Sequence, residues 1–142
     1  MIPTDIKKAI ILDHYKDPRN KKTVSGDYLQ HHENSESCID DIKLMGKIEN
    51  GIITELYFDG IACSISTAAT SIMCETFVGK TVEEAEHIIE QYNNMLFERE
   101  YDQELLGDFL AFDELYKQAN RIKCGLIGMK SMESLIRQWK TQ

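Results

Sequence analysis

The 142-residue chain contains no run of about 18 apolar residues that could cross a bilayer as a helix. Its first residues, Met-Ile-Pro-Thr-Asp-Ile-Lys-Lys, hold no apolar stretch of the signal-peptide type, so a cytoplasmic location is expected. Positive charge is also short, with 16 Lys and Arg set against 24 Asp and Glu for a net charge of −8 and a pI near 5.0. Binding to a phosphate backbone depends on clustered cations that release counterions, so this balance argues against nucleic acid and for a partner with a basic surface. Cysteine is scarce too. Cys38, Cys63, Cys74 and Cys124 are too few and too scattered for a secreted disulfide framework, and reduced thiols are expected. No internal repeat or low-complexity linker breaks the chain. With 42% hydrophobic residues, its length suits one domain over residues 1–142 with a core of its own.

What is present reads as a mixture of helices and one hairpin. Ile6, Ala9 and Ile10 recur at helical spacing towards His14 or Tyr15, with Pro3 and Asp5 suited to the start and Asp17-Pro18 to the stop. His14 is expected at the edge of the packed face. Residues 19 to 37 show no period and are expected to form a long mobile loop, with His31 and His32 solvated on it rather than ligating. From Ile42 the chain alternates, with Ile42, Leu44, Gly46 and Ile48 on one face, and Asn50-Gly51 supplies a type I′ hairpin turn. A second strand returns through Ile52, Thr54, Leu56 and Phe58. Cys38 lies 12 residues before Asn50 and Cys63 lies 12 after Gly51, so an antiparallel hairpin is expected to set these two thiols side by side.

Cys63 stands just ahead of a helix carrying Ile65, Ala68, Ala69, Ile72 and Met73, with Gly79 fitting its C′ position. Unpaired amides at a helix start favour an anion, so this thiol is expected to ionise readily and to bind metal. Cys74 lies within the same helix and reads as packing. Thr81-Val82-Glu83-Glu84 forms a capping box opening a helix whose stripe is Ala85, Ile88, Ile89, Tyr92 and Leu96, with His87 off the stripe and exposed. An acidic, broken segment from Phe97 to Asp113 follows. Helical character resumes before or at Cys124, near a helix start, and Gly125 and Gly128 would permit close backbone approach there. The pattern as a whole predicts an α+β fold, a small antiparallel β-sheet packed by helices.

The chemistry-bearing residues are then Cys38, Asp40, Cys63 and Cys124. Three thiolates and a carboxylate would make a tetrahedral site of a kind that selects zinc or an iron–sulfur cluster rather than magnesium or calcium. Single distant cysteines are less specific than paired Cys-x-x-Cys motifs. On spacing alone, the metal reading and the buried-cysteine reading both stand.

Four stretches together resemble a known family: Ile11-Leu12-Asp13-His14-Tyr15-Lys16-Asp17-Pro18-Arg19-Asn20; Cys38-x-Asp40; Gly60-x-x-Cys63-Ser64-Ile65-Ser66-Thr67-Ala68 followed by Gly79-Lys80-Thr81; and Arg121-Ile122-Lys123-Cys124. In order and spacing they are similar to the SufU/IscU (NifU N-terminal) family of iron–sulfur cluster assembly proteins, and the likeness spans nearly the whole chain. The resemblance implies a SufE/IscU-like α+β fold and a metal site of Cys38, Asp40, Cys63 and Cys124. Two features lie nearer the SufU branch: the long acidic interval between Cys63 and Cys124, and Lys123 where the scaffold branch usually has histidine. A protonated lysine cannot ligate.

The SufU likeness implies a zinc-dependent sulfurtransferase in which Cys38 accepts persulfide sulfur from a SufS-type cysteine desulfurase and delivers it towards downstream iron–sulfur assembly proteins. Zinc lowers a thiolate's nucleophilicity, so Cys38 is expected to leave the metal before reacting. The alternative is an IscU-type scaffold that assembles an iron–sulfur cluster on the same ligands. A zinc-stabilised adaptor without catalysis is a third reading. The chain departs from the family at Ser35-Glu36-Ser37-Cys38-Ile39-Asp40, where the pattern is Asn-Pro-x-Cys-Gly-Asp, and at Ala62, where glycine is frequent.

Overall fold

The computed structural model describes residues 2–34 and 39–142. Helix α1 (Thr4–Lys16) begins after Pro3, whose carbonyl accepts from the Ile6 and Lys7 amides. Its inward face differs from the expected one: Lys7, Ile10, Ile11 and His14 turn to the core while Ile6 is exposed. Two polar residues define this face. Lys7 buries its stem and sets Nζ 2.6 Å from Asp113 Oδ1, so an apolar-only reading of the helix points the wrong way.

The sheet is three-stranded and antiparallel, in the order β1 (Leu29–Asn34), β2 (Asp41–Glu49), β3 (Ile52–Ile61). Strand β1 replaces part of the loop expected over residues 19–37. Its half-buried positions are Leu29, His31 and Glu33, and the last two pair with each other at 2.8 Å. Polar residues on the inner side hide the alternation. His32 pairs with Asp41 across the ladder. Just before β1, Asn20 adopts a positive φ of 63°, and residues 20–22 bond along β3 through Asn20 O and the Lys22 amide to Phe58.

The β2–β3 turn holds Asn50 and Gly51 at φ 54° and 75°, as a type I′ turn requires. The register then shifts at Lys47/Ile48: Ile48 faces Ile53 and Lys47 faces Glu55, leaving Thr54 as an extra residue on β3. This bulge puts Ile53, Leu56 and Phe58 inside and leaves Ile52 and Thr54 out, a change of face midway that simple alternation does not show.

Helix α2 (Ser64–Phe77) is the centre of the molecule, with every residue from Ser66 to Cys74 buried. Gly79, at φ 94°, follows it as the expected C′ glycine. Helix α3 (Val82–Leu96) opens with the reciprocal Thr81–Glu84 capping box. The acidic stretch folds as short 3-10 turns at Gln103–Leu105, Gly107–Phe112 and Leu115–Lys117. Helix α4 (Ala119–Lys140) packs on α2, β1 and β2. Gly128 makes this approach possible, since a Cβ there would stand 2.7 Å from Thr70 Oγ1 and 3.2 Å from Thr70 Cα. Among the described residues no helix is long and apolar enough to cross a membrane.

Candidate metal centre

Three of the four residues singled out by sequence are described, and they converge. One ligand atom each from Asp40, Cys63 and Cys124 lie within 4.8 Å of one another. Each comes from a different element, so the fold makes the cluster. Asp40 enters β2, Cys63 is the N-cap of α2, and Cys124 sits in the second turn of α4. Cys38 lies outside the described residues, and so does its expected pairing with Cys63.

The hydrogen bonds around Asp40 show how the site is built. Its side chain is buried, with Oδ1 accepting from the Cys63 amide at 2.8 Å and Oδ2 accepting from the Ser66 hydroxyl in a short bond. The carboxylate thus satisfies amide and hydroxyl donors at the start of α2, where negative charge is favoured. Cys63 caps the same turn: its Sγ accepts from the Ser66 amide at 3.5 Å and lies 3.4 Å from Ser66 Oγ. Ser66 therefore touches both a thiol and the carboxylate. Ser66 carries no role in the sequence pattern, although its position three residues after the cap marks it as a capping partner.

Cys63 and Cys124 are held differently. Cys63, partly buried, projects from a helix end, whereas Cys124 is almost fully buried inside a helix that begins at Ala119, so it stands deeper than the helix-start position expected for it. Beside it Tyr92 Oη donates to Gly125 O at 2.7 Å, and a Cβ on Gly125 would meet Leu115 at 2.6 Å. The close approach expected of both glycines is present. Cys74 plays the packing part expected of it; it is fully buried, and burial pushes its thiol pKa well up.

Ile39 and Ile61 are 68% and 72% exposed, flanking Asp40 and Cys63 along the chain. Ile39 stands where the family pattern has glycine. Gly60, at φ 130°, has the Asp41 carbonyl where a Cβ would sit, 1.9 Å away, so glycine is required at that crossing. Lys123 and Arg121 are exposed. Two thiols and a carboxylate that lie this close, in a sulfur-rich set, fit a tetrahedral zinc ion well and a hard cation poorly.

A three-stranded antiparallel sheet packed by helices, with Asp, Cys and Cys gathered at the start of its central helix, defines the class as an α+β protein with a candidate thiolate metal site. The chain belongs to the NifU-like N terminal domain family, whose profile matches residues 6–125. A zinc-dependent sulfurtransferase, SufU of Bacillus subtilis, is 35% identical over 127 residues, covering 89% of this chain and 86% of that protein. An iron–sulfur cluster assembly scaffold protein IscU of Streptococcus pyogenes is 30% identical over 132 residues, covering 92% and 82%. Among solved structures, FiSufU of Fervidobacterium islandicum, described as a candidate iron–sulfur cluster assembly scaffold for the SUF system, superposes with a TM-score of 0.76 at 29% identity, covering 87% of this chain and 91% of that one.

Proposed function

We propose that this protein serves iron–sulfur cluster assembly as a zinc-dependent sulfur acceptor, taking persulfide sulfur from a SufS-type cysteine desulfurase and passing it to downstream assembly proteins. The observation that carries the reading is the convergence of Asp40, Cys63 and Cys124 within 4.8 Å. The SufU relative, named for this activity and matched over most of both chains, supports the same assignment. Lys123 supports it further, since it supplies no neutral imidazole beside Cys124.

The ligands we assign are Cys38, Asp40, Cys63 and Cys124. Zinc, when bound, keeps thiolates deprotonated near neutral pH. The protein's own residues do the rest. Ser66 and the Cys63 amide orient Asp40, the α2 cap fixes Cys63, and the α4 interior fixes Cys124. Cys38 is the assigned nucleophile: its thiolate attacks the outer sulfur of the desulfurase persulfide and the S–S bond breaks. The desulfurase cysteine leaves as thiolate, and the new persulfide resides on Cys38 with no net redox change. Three working thiols suit a reducing compartment such as the cytoplasm.

The second reading, a scaffold for an iron–sulfur cluster on these ligands, is favoured by the IscU relative. Metal analysis of the purified protein with anaerobic reconstitution separates the two. Stoichiometric zinc without a stable chromophore supports sulfur transfer, whereas a visible cluster with stoichiometric iron and sulfide overturns it.

A further inference from the structure

The segment Ile11–Asn20 is the longest stretch carrying the family resemblance, yet none of its residues belongs to the thiolate cluster. Its His14 is 2% exposed, although an imidazole is costly to bury without partners. Nδ1 lies 2.8 Å from Ser71 Oγ, and the same oxygen accepts from the Arg19 amide at 2.8 Å. In the tautomer whose Nδ1–H donates to the second lone pair of that oxygen, Nε2 carries the ligating lone pair, and Nε2 makes no hydrogen bond among the described residues. A ring nitrogen of His14 and carboxylate oxygens of Glu75 and Asp108 lie within 4.8 Å of one another.

Both carboxylates are lightly committed. Asp108 makes no hydrogen bond or ion pair among the described residues. Glu75 has one long ion pair, 3.6 Å to Arg19 Nε, and that guanidinium is held more closely by Asp13 Oδ2 at 2.7 Å and Asp17 O at 2.9 Å. We infer that His14, Glu75 and Asp108 form a second, sulfur-free site for a first-row divalent cation. Along α2 it stands roughly 18 Å from Cys63, taking 1.5 Å per residue to Glu75.

The donor set decides the class of ion. One imidazole with two carboxylates suits manganese, ferrous iron or zinc better than calcium, while thiolates at the other site keep zinc. Metal–ligand bonds of about 2.1 Å set donors roughly 3.0–3.5 Å apart, within reach of groups already inside 4.8 Å of one another. Glu75 and Asp108 are exposed and free to close, whereas His14 is fixed by Ser71, as an orienting outer partner fixes a ligand imidazole. Burial lowers the His14 pKa and so keeps the ring neutral and able to ligate at neutral pH.

The probe is Mn²⁺, titrated into the zinc-loaded full chain and followed by loss of the free-ion EPR signal. One Mn²⁺ per chain, with zinc retained, is expected. Glu75→Gln with Asp108→Asn should weaken it at least tenfold, while zinc content and far-UV circular dichroism stay unchanged. Asp102→Asn with Glu104→Gln, acids at the preceding 3-10 turn Gln103–Leu105, should leave binding intact. No uptake at millimolar Mn²⁺, or uptake indifferent to the Glu75 and Asp108 changes, would overturn the assignment and leave His14 as a structural clamp between α1 and α2.

Discussion

Replacing Ser66 by alanine removes one hydroxyl from a fully buried position and should disturb the metal centre even when no metal is bound. The hydroxyl donates to Asp40 Oδ2, on a carboxylate that is 1% exposed and cannot turn to water instead. A hydrogen bond to a charged group contributes about 1.5–3 kcal/mol, so about 2 kcal/mol should be lost. Unfolding entropy of about 2.1 cal/mol/K per residue amounts to roughly 0.3 kcal/mol/K for 142 residues, so Tm should fall by roughly 7 °C. The assay is calorimetry of the chelator-treated protein in a double-mutant cycle with Asp40→Ala. If Ser66 acts through Asp40, the two changes couple by at least about 1 kcal/mol; additivity within about 0.5 kcal/mol would refute the reasoning. In the metal-loaded protein, Ser66→Ala should weaken zinc binding by about 10–100-fold, measured by competition with a chromogenic chelator.

Three further outcomes follow from the packing. Gly128→Ala gains about 1 kcal/mol of helix propensity but drives a Cβ against Thr70, and overpacking costs about 1–3 kcal/mol, so the urea midpoint should fall with an unchanged slope. Lys7→Met leaves Asp113 buried without its cation and should cost about 3 kcal/mol or more, whereas Lys7→Met with Asp113→Leu should recover most of it in urea unfolding. His14 is held below its ordinary value by burial, with the Arg19 charge adding to the effect. The unfolded chain therefore binds this proton first, and stability should decline as pH falls through about 6.5. A ring titration by NMR with a midpoint at or above about 6.5 would contradict that sign.

The hairpin turn, the capping box and the C′ glycine were legible because local chemistry and topology act together at each, whereas the approach of Cys124 to Asp40 and Cys63 was left open by spacing and implied by the family resemblance. Asn50-Gly51 can take positive φ, Thr81 and Glu84 satisfy each other's amides, and an antiparallel pair returns Ile61 opposite Asp41. Strand β1 was hidden because His31 and Glu33 occupy its inner side as an ion pair, so no hydrophobic period exists to read. The Thr54 bulge was hidden because an inserted residue has no compositional mark. The inward turn of α1 depends on Asp113, about a hundred residues away, and on Ser71, and neither partner is visible in a local window. Ser66 was missed because the cap it serves is a cysteine, outside the usual set of capping residues.

The helix cap that holds Cys63 and the buried turn that holds Cys124 give both thiols fixed places, which leaves Cys38 as the proposed site of reaction. The direct test is to incubate the zinc-loaded chain with a cysteine desulfurase and ³⁵S-cysteine, alkylate, and map the label by peptide mass spectrometry. A single sulfane sulfur is expected on the Cys38 peptide, absent from Cys38→Ala protein that is still folded. Label on Cys63 or Cys124, or undiminished labelling of the Cys38→Ala chain, would contradict it.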